Sequence, residues 1–381
     1  MKAESHRVAT LNVVSRLMRC AFDRCWRPIR RHSAAPGIAS NIITTGLIVA
    51  LASGCSNQIT GDGLQLEQFE FQSDGDNLSG VLARPVASER FGVVVFVHGD
   101  GPVTADHDGG YRPIWAALAR AGYASLSWDK PGVGGSSGRW LSQSMTDRAD
   151  EVGHAIDKIT RDPRVDPERV ALFGASQAGW VLPLVVAQHP PEFAIALSPA
   201  INWLRQSGFQ TEHILDTNNA SPELRAQVET YRERGLELLR RDAPHTDHER
   251  WYTRLPSQVR PYFDQMSAER YRFVALNYLS DAADDLSLLK GLPTLLLQGG
   301  QDVLVDIDET AATYQDILGD CLHLSRYDNA NHSLIRAELS ECKSCLLITA
   351  ITNPDKLFPK TMSADIEDFV RTRQCANPQR N

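Results

Sequence analysis

Residues 169–179 read Arg169-Val170-Ala171-Leu172-Phe173-Gly174-Ala175-Ser176-Gln177-Ala178-Gly179, and they change character twice. Arg169 to Phe173 is an apolar run of the kind that forms a buried strand. Small residues then surround one serine, Ser176. From Gln177 to Gln188 the pattern turns helical, with Trp180, Leu182, Leu184 and Val185 supplying the apolar face. A strand that passes into a helix through so short a turn strains the backbone at its centre, so the side chains packed beside it must be small. The serine hydroxyl is thereby held out at the strand's end.

Working outward, the same alternation of strand and helix repeats. Leu64 to Phe71 alternates strictly, as a half-buried edge strand does, and Asp74 to Asn77 is a turn. Leu78 to Arg84 is a second strand, stopped by Pro85. Phe91 to Val97 is β-branched and apolar throughout and reads as a central strand buried on both faces. Tyr111 to Ala121 has helical spacing, Ala124 to Trp128 is a strand, and Met145 to Thr160 is a helix with Thr146 as its N-cap. Residues 162–167 read as a loop ahead of the serine strand. Beyond it, Ala194 to Ser198 and Thr294 to Gln298 are strands, Asp308 to Leu318 is a helix, Cys321 to Tyr327 is the last strand, and Ser363 to Thr372 is a closing helix. Between residues 200 and 291 no strand-like run occurs; Glu223 to Arg241 and Ala268 to Leu279 are amphipathic and helical. These features predict an α/β protein with a mostly parallel central sheet, helices on both faces, and a helical cap inserted over the sheet's carboxyl edge. The expected organisation is a signal peptide over 1–54, a linker over 55–63, core over 64–199, cap over 200–291 and core again over 292–381.

Composition narrows the function. The chain has 381 residues, 42% hydrophobic and 23% charged, with a net charge of −8, and no basic stripe in its body. It is globular and not a nucleic-acid binder. The glycine-rich stretch Asp129 to Gly138 offers Gly132-x-Gly134, but Ser137 stands where a dinucleotide loop needs its third glycine, and the sequence there contains no Gly-Lys-Ser. No cofactor is expected. Asp100, Asp106, His107 and Asp108 have no matching second cluster, so they read as loop polarity and no metal is expected either.

The N-terminus differs from the body. Lys2, Arg7, Arg16, Arg19, Arg24, Arg27, Arg30 and Arg31 face only Glu4 and Asp23 across residues 1–40. Ile42 to Ala52 is apolar yet short for a bilayer span, and it runs into Leu51-Ala52-Ser53-Gly54-Cys55. Basic region, apolar core, small residues and cysteine together predict a lipoprotein signal, with Cys55 as the lipidated residue. The body is then expected in the cell envelope, lipid-anchored to a membrane and facing the periplasm or exterior. Alternatives are a start at Met18, a weak twin-arginine signal at Arg30-Arg31, or an uncleaved anchor helix. Of seven cysteines, Cys20 and Cys25 would leave with the signal. Cys321, Cys342, Cys345 and Cys375 remain, an even number in an oxidising compartment, with three pairings open.

Four stations, each at the carboxyl end of an expected strand, carry a resemblance. They are His98-Gly99-Asp100-Gly101; Asp129-Lys130-Pro131-Gly132-Val133-Gly134-Gly135-Ser136; Gly174-Ala175-Ser176-Gln177; and Gly299-x-x-Asp302-x-x-Val305 with Asn331-His332. In this order they resemble the α/β-hydrolase superfamily over about residues 64–370, and within it bacterial esterases of the dienelactone-hydrolase-like and prolyl-oligopeptidase-like group. One departure is that Ala178 replaces the last glycine of G-x-S-x-G, with Gly179 one place later. The resemblance implies Ser176 as nucleophile, His332 as its base and Asp302 as the group that orients the histidine, favoured over Asp306 and Asp308. It implies an oxyanion hole from the N–H of Gln177 and one from Asp100 or Gly101. His98 reads as structural and Trp180 as core. The expected activity is cleavage of a small-molecule carboxylic ester through an acyl-enzyme. Alternatives are a serine peptidase or thioesterase of the same fold, or a non-catalytic lipid-anchored binding module. Oligomeric state is left open.

Overall fold

In a computed structural model, residues 58–60, 63–340 and 342–375 are described. The signal-peptide and Cys55 expectations lie outside these residues. Nine strands form one sheet: β1 (Gln58–Ile59), β2 (Leu64–Ser73), β3 (Asp76–Pro85), β4 (Phe91–Val97), β5 (Tyr123–Trp128), β6 (Val165–Ala175), β7 (Ala194–Leu197), β8 (Thr294–Gly299) and β9 (Leu322–Tyr327). Their spatial order is β1-β2-β3-β5-β4-β6-β7-β8-β9. The first three join the rest antiparallel, and β5 through β9 are parallel. The fold is that of an α/β hydrolase.

β4 is buried along its whole length because its alternate side chains feed two cores. Val93, Val95 and Val97 face one cluster, with Val152 and Ile156 of α2 (Met145–Ile159) and Leu182 and Val185 of α3 (Leu182–Gln188). Val94 and Phe96 face the other, with Trp115 and Leu118 of α1 (Arg112–Arg120) and Ile366 and Phe369 of the closing helix Met362–Thr372. A strand with a helical layer on each side must be apolar at every position, and that is the pattern of Phe91 to Val97. β2 and β3 are joined by the pair Asp74-Gly75, both at positive φ (49° and 84°), a two-residue hairpin whose twist suits the strands, so both run two residues closer to the turn than their apolar patterns show.

Between β7 and β8 come four helices: α4 (Trp203–Thr217), α5 (Pro222–Arg240), α6 (His245–Thr253) and α7 (Ala268–Asn277). Leu215, Val228, Leu255 and Val259 form their own small core. The next helix, α8 (Ile307–Leu318), comes after β8; α9 (Ala337–Ser340), α10 (Lys343–Thr352) and α11 (Met362–Thr372) end the chain. No described helix is long and apolar enough to cross a membrane. Disulfides join Cys321 to Cys375 and Cys342 to Cys345, resolving the three-way choice.

Several expectations need correction. Ser144, not Thr146, caps α2: Asp147 N–H donates to Ser144 Oγ (3.1 Å) while Asp147 Oδ2 accepts from Ser144 N–H (2.7 Å), a reciprocal box that Thr146 is too late to form. β6 begins at Val165, absorbing residues read as a loop, because Val165 pairs with Phe91 across a register shift that tolerates Pro167. The helix after Ser176 is not continuous. A 3₁₀ turn over Ser176–Trp180 precedes α3, whose second residue is Pro183. Residues 58–59 of the expected linker pair with β2 as strand β1.

Candidate active site

Ser176 closes β6 at φ +53°, a left-handed conformation that costs a non-glycine residue about 1–2 kcal/mol. Packing holds it there. Ser176 O accepts from Ala200 N–H at 2.9 Å, which brings the chain after β7 against the turn. That close approach falls on Gly179: a Cβ there would lie 2.3 Å from Ala200 O. Ala178, fully buried, is accommodated. The departure from G-x-S-x-G is therefore explained by which residue the chain after β7 crosses.

Asp302 lies just past β8 and His332 just past β9. Their loops are knitted together: Gly300 N–H donates to Tyr327 O (2.8 Å) and Gln301 N–H to Ala330 O (2.9 Å). Gly299 has to be glycine, since a Cβ would sit 2.1 Å from Asn331 O. Asn331 Oδ1 accepts from Ser333 N–H and Ile335 N–H, both at 3.0 Å, and fixes the turn that presents the next side chain. The result is His332 Nδ1 at 2.7 Å from Asp302 Oδ2. The Asp302 side chain is wholly buried, and its other oxygen accepts from Leu304 N–H (2.8 Å) and Val305 N–H (3.0 Å). An ionised carboxylate only accepts, so His332 Nδ1 donates and Nε2 keeps its lone pair. Asp306 instead caps α8, and Asp308 pairs with Arg326. All three candidate residues stand past the carboxyl ends of parallel strands, with β7 alone between β6 and β8. Among the described residues no hydrogen bond joins the Ser176 hydroxyl to His332. In unliganded hydrolases such contacts are often long and tighten when substrate binds.

The loop after β4 abuts the serine turn, where a Cβ on Gly99 would lie 3.3 Å from Ser176 Cβ. His98 is buried; its Nε2 donates to Trp128 O (2.6 Å), and Nδ1 therefore accepts from Tyr111 Oη (3.2 Å). Burial, with Lys130, His107 and Arg148 nearby, holds the ring's pKa well below its usual value, so His98 is a neutral strut. Asp100 meets Arg270 of α7 in a two-pronged pair, 2.8 and 2.7 Å. Burial pushes the Asp100 carboxyl up, but Arg270, Lys130 and the Gly101 N–H outweigh it and keep it below the usual carboxylate range. Gln177 Nε2 donates to Asp100 Oδ1 at 3.3 Å. Trp180 is core, stacked on Trp203 at 5.1 Å with its Nε1 donating to Ile201 O. Arg270 lies in a helix whose sequence offers no sign of this contact.

The family model described as serine aminopeptidase, S33, matches residues 88–339. An uncharacterised peptidase of Bacillus subtilis is 27% identical over 152 residues, 37% of this chain and 23% of that one. The esterase FrsA of Photorhabdus laumondii is 26% identical over 141 residues, 36% of this chain and 32% of that one. The chain thus spans about a quarter to a third of these two relatives. Among solved structures, the Pyrococcus furiosus esterase Pf2001 superposes with a TM-score of 0.50 at 15% identity, covering 83% of this chain and 93% of the other. The hydrolase GrgF of a Penicillium species gives 0.50 at 16% identity, covering 81% and 99%. At such identities the likeness is one of fold.

Proposed function

The chain belongs to the serine aminopeptidase S33 family of α/β hydrolases, and we propose that it cleaves carboxylic esters through Ser176, His332 and Asp302. The observation that carries this is the 2.7 Å bond between Asp302 and His332, beyond the same sheet edge at which Ser176 is held at positive φ. In the proposed reaction His332 Nε2 takes the Ser176 proton as Oγ bonds to the ester carbonyl carbon, and the carbonyl π pair moves onto oxygen. The imidazolium is stabilised by Asp302, which keeps its own charge. The oxyanion is met by the N–H of Gln177 and one from Asp100 or Gly101, each donor worth about 3 kcal/mol in the transition state. Collapse breaks the bond to the alcohol, which leaves with the proton from His332. Water then repeats the sequence and releases the acid.

The family description and one relative's name point to peptides as well. An aminopeptidase needs a free carboxylate for the substrate's ammonium group. Asp100, beside the serine turn, is already satisfied by Arg270 and Gln177, which favours an ester. Turnover of p-nitrophenyl esters but not aminoacyl anilides, abolished in Ser176→Ala, is the expected result. Anilide turnover alone would reassign the substrate, and an inert wild type would leave a binding module.

Cys55 as a lipid anchor holding the body in the cell envelope is part of the same proposal. The two disulfides support an oxidising compartment. Labelled palmitate should enter the wild type and not Cys55→Ala; no label in the wild type sinks the anchor.

A further inference from the structure

Two buried basic side chains that the reaction does not use lie directly behind the loop after β4. Lys130 is 2% and Arg148 5% exposed. Lys130 Nζ donates to Gly99 O (2.8 Å) and Gly101 O (3.2 Å), and it sits 4.6 Å from the centre of the Trp140 ring. Arg148 donates through Nη2 to His98 O, and through Nη1 to Gln177 Oε1 at 2.7 Å. Three carbonyls of one short loop thus point at two buried basic side chains.

The described peptide bonds are all trans. In a planar trans peptide the N–H points opposite to the C=O of the preceding residue. Fixing His98 O and Gly99 O therefore fixes the N–H groups of Gly99 and Asp100, facing away from Arg148 and Lys130. The peptide after Gly101 O is Pro102, which has no N–H. The Gly101 N–H acts on the Asp100 carboxylate. Gly99 itself abuts the serine turn, where a Cβ would lie 3.3 Å from Ser176 Cβ and from Ala175 O. We propose that Lys130, acting beside Arg148 on the same loop, is a positioning residue that aims the Asp100 N–H at the oxyanion, which chooses Asp100 over Gly101 as the second donor. This rests on Ser176 being the nucleophile. Water or a mobile side chain behind the loop would let the Gly99–Asp100 peptide rotate, and a rotated peptide presents a carbonyl oxygen, not an N–H, to developing negative charge. A donor that has to be turned into place before each reaction loses the benefit of preorganisation. The long stem of Lys130 also fits a buried site under Trp140, where a shorter side chain would not reach both carbonyls.

The test is Lys130→Met, which keeps the length and removes the donors. On a p-nitrophenyl ester kcat should fall about 10²-fold, the lower end of what deleting one oxyanion donor costs, with KM within about twofold because ground-state binding is untouched. Affinity for an alkylboronic acid, whose tetrahedral serine adduct presents a negative oxygen to the same donors, should fall in parallel with kcat/KM. Stoichiometric labelling of Ser176 by a fluorophosphonate should persist, only slower; a merely structural role would move melting temperature and labelling stoichiometry instead. If the Met variant does not melt cooperatively, Lys130→Gln, with donors on a shorter stem, carries the test, with about a tenfold fall expected. A cooperatively melting variant whose kcat stays within about threefold of wild type, or one that raises KM alone, overturns the clamp. Full activity in Ser176→Ala would instead overturn the nucleophile on which it rests.

Discussion

Replacing Asp302 with asparagine separates charge and tautomer from shape. The Asp302 side chain is wholly buried and holds three partners: Leu304 N–H, Val305 N–H and His332 Nδ1. An asparagine oxygen can keep both backbone bonds, so the loop should survive and melting temperature should change little. The remaining position must then be an NH₂ facing His332 Nδ1. Two donors cannot bond each other, so the ring turns to its other tautomer, with the proton on Nε2. In that form it has no lone pair for the serine proton. In a serine protease triad the equivalent change lowers kcat about 10⁴-fold, or about 5.4 kcal/mol at about 1.36 kcal/mol per decade. The same loss is expected here in steady-state hydrolysis of a p-nitrophenyl ester near pH 7, with KM nearly constant. An Asn variant retaining more than about a tenth of wild-type kcat while folded would show that the Asp302–His332 bond is not part of the chemistry.

Other consequences are local. Gly179→Ala puts a methyl 2.3 Å from Ala200 O, so it should cost about 1–3 kcal/mol in a denaturant titration, as overpacking does, and slow ester turnover by disturbing the serine turn; an unchanged midpoint contradicts that packing. Cys321–Cys375 closes a separation of 54 residues, worth about 4 kcal/mol in the chain-entropy account, against about 2 for Cys342–Cys345, so Cys321→Ser with Cys375→Ser should lower the unfolding midpoint more than the other pair does. Glu67 is pushed up by burial but held below its usual 4.5 by Arg164 and Arg84. A carboxylate with a depressed folded pKa contributes stability that is full above about 4.5 and lost as pH falls through the folded value. Glu67→Gln should therefore lower the melting temperature by about 1–3 °C at pH 7, and the gap to wild type should narrow progressively as pH falls below about 4.5; a gap that stays constant through the acid range refutes the linkage.

The stations around the site are legible in the sequence because each joins an apolar run to a residue type with few other uses. Val93 to Val97 must be apolar at every position, and the stretch His98-Gly99-Asp100-Gly101 directly after it stands out by contrast. Asp302 is distinguishable from Asp306 because the latter sits where a helix needs its cap. The residues that the sequence hides are those set by contacts between distant segments. Thr146 reads as the cap until Asp147 is seen to reach back to Ser144. Asp166-Pro167 looks like a loop until Val165 pairs with Phe91. α4 escapes notice since Leu215 alone of its residues is fully buried. Lys130 and Arg270 look like ordinary surface cations; only the fold turns one inward onto two carbonyls and sets the other against Asp100. Local pattern thus marks the candidate residues, while the side chains that hold the loop after β4 depend on three-dimensional proximity.

The most direct measurement is peptide mapping by mass spectrometry after treatment with a fluorophosphonate. One adduct per chain, on Ser176 and absent from His332→Ala, is the expected result. An adduct on another serine, or none on folded wild-type protein, would contradict the assignment of Ser176 as the nucleophile.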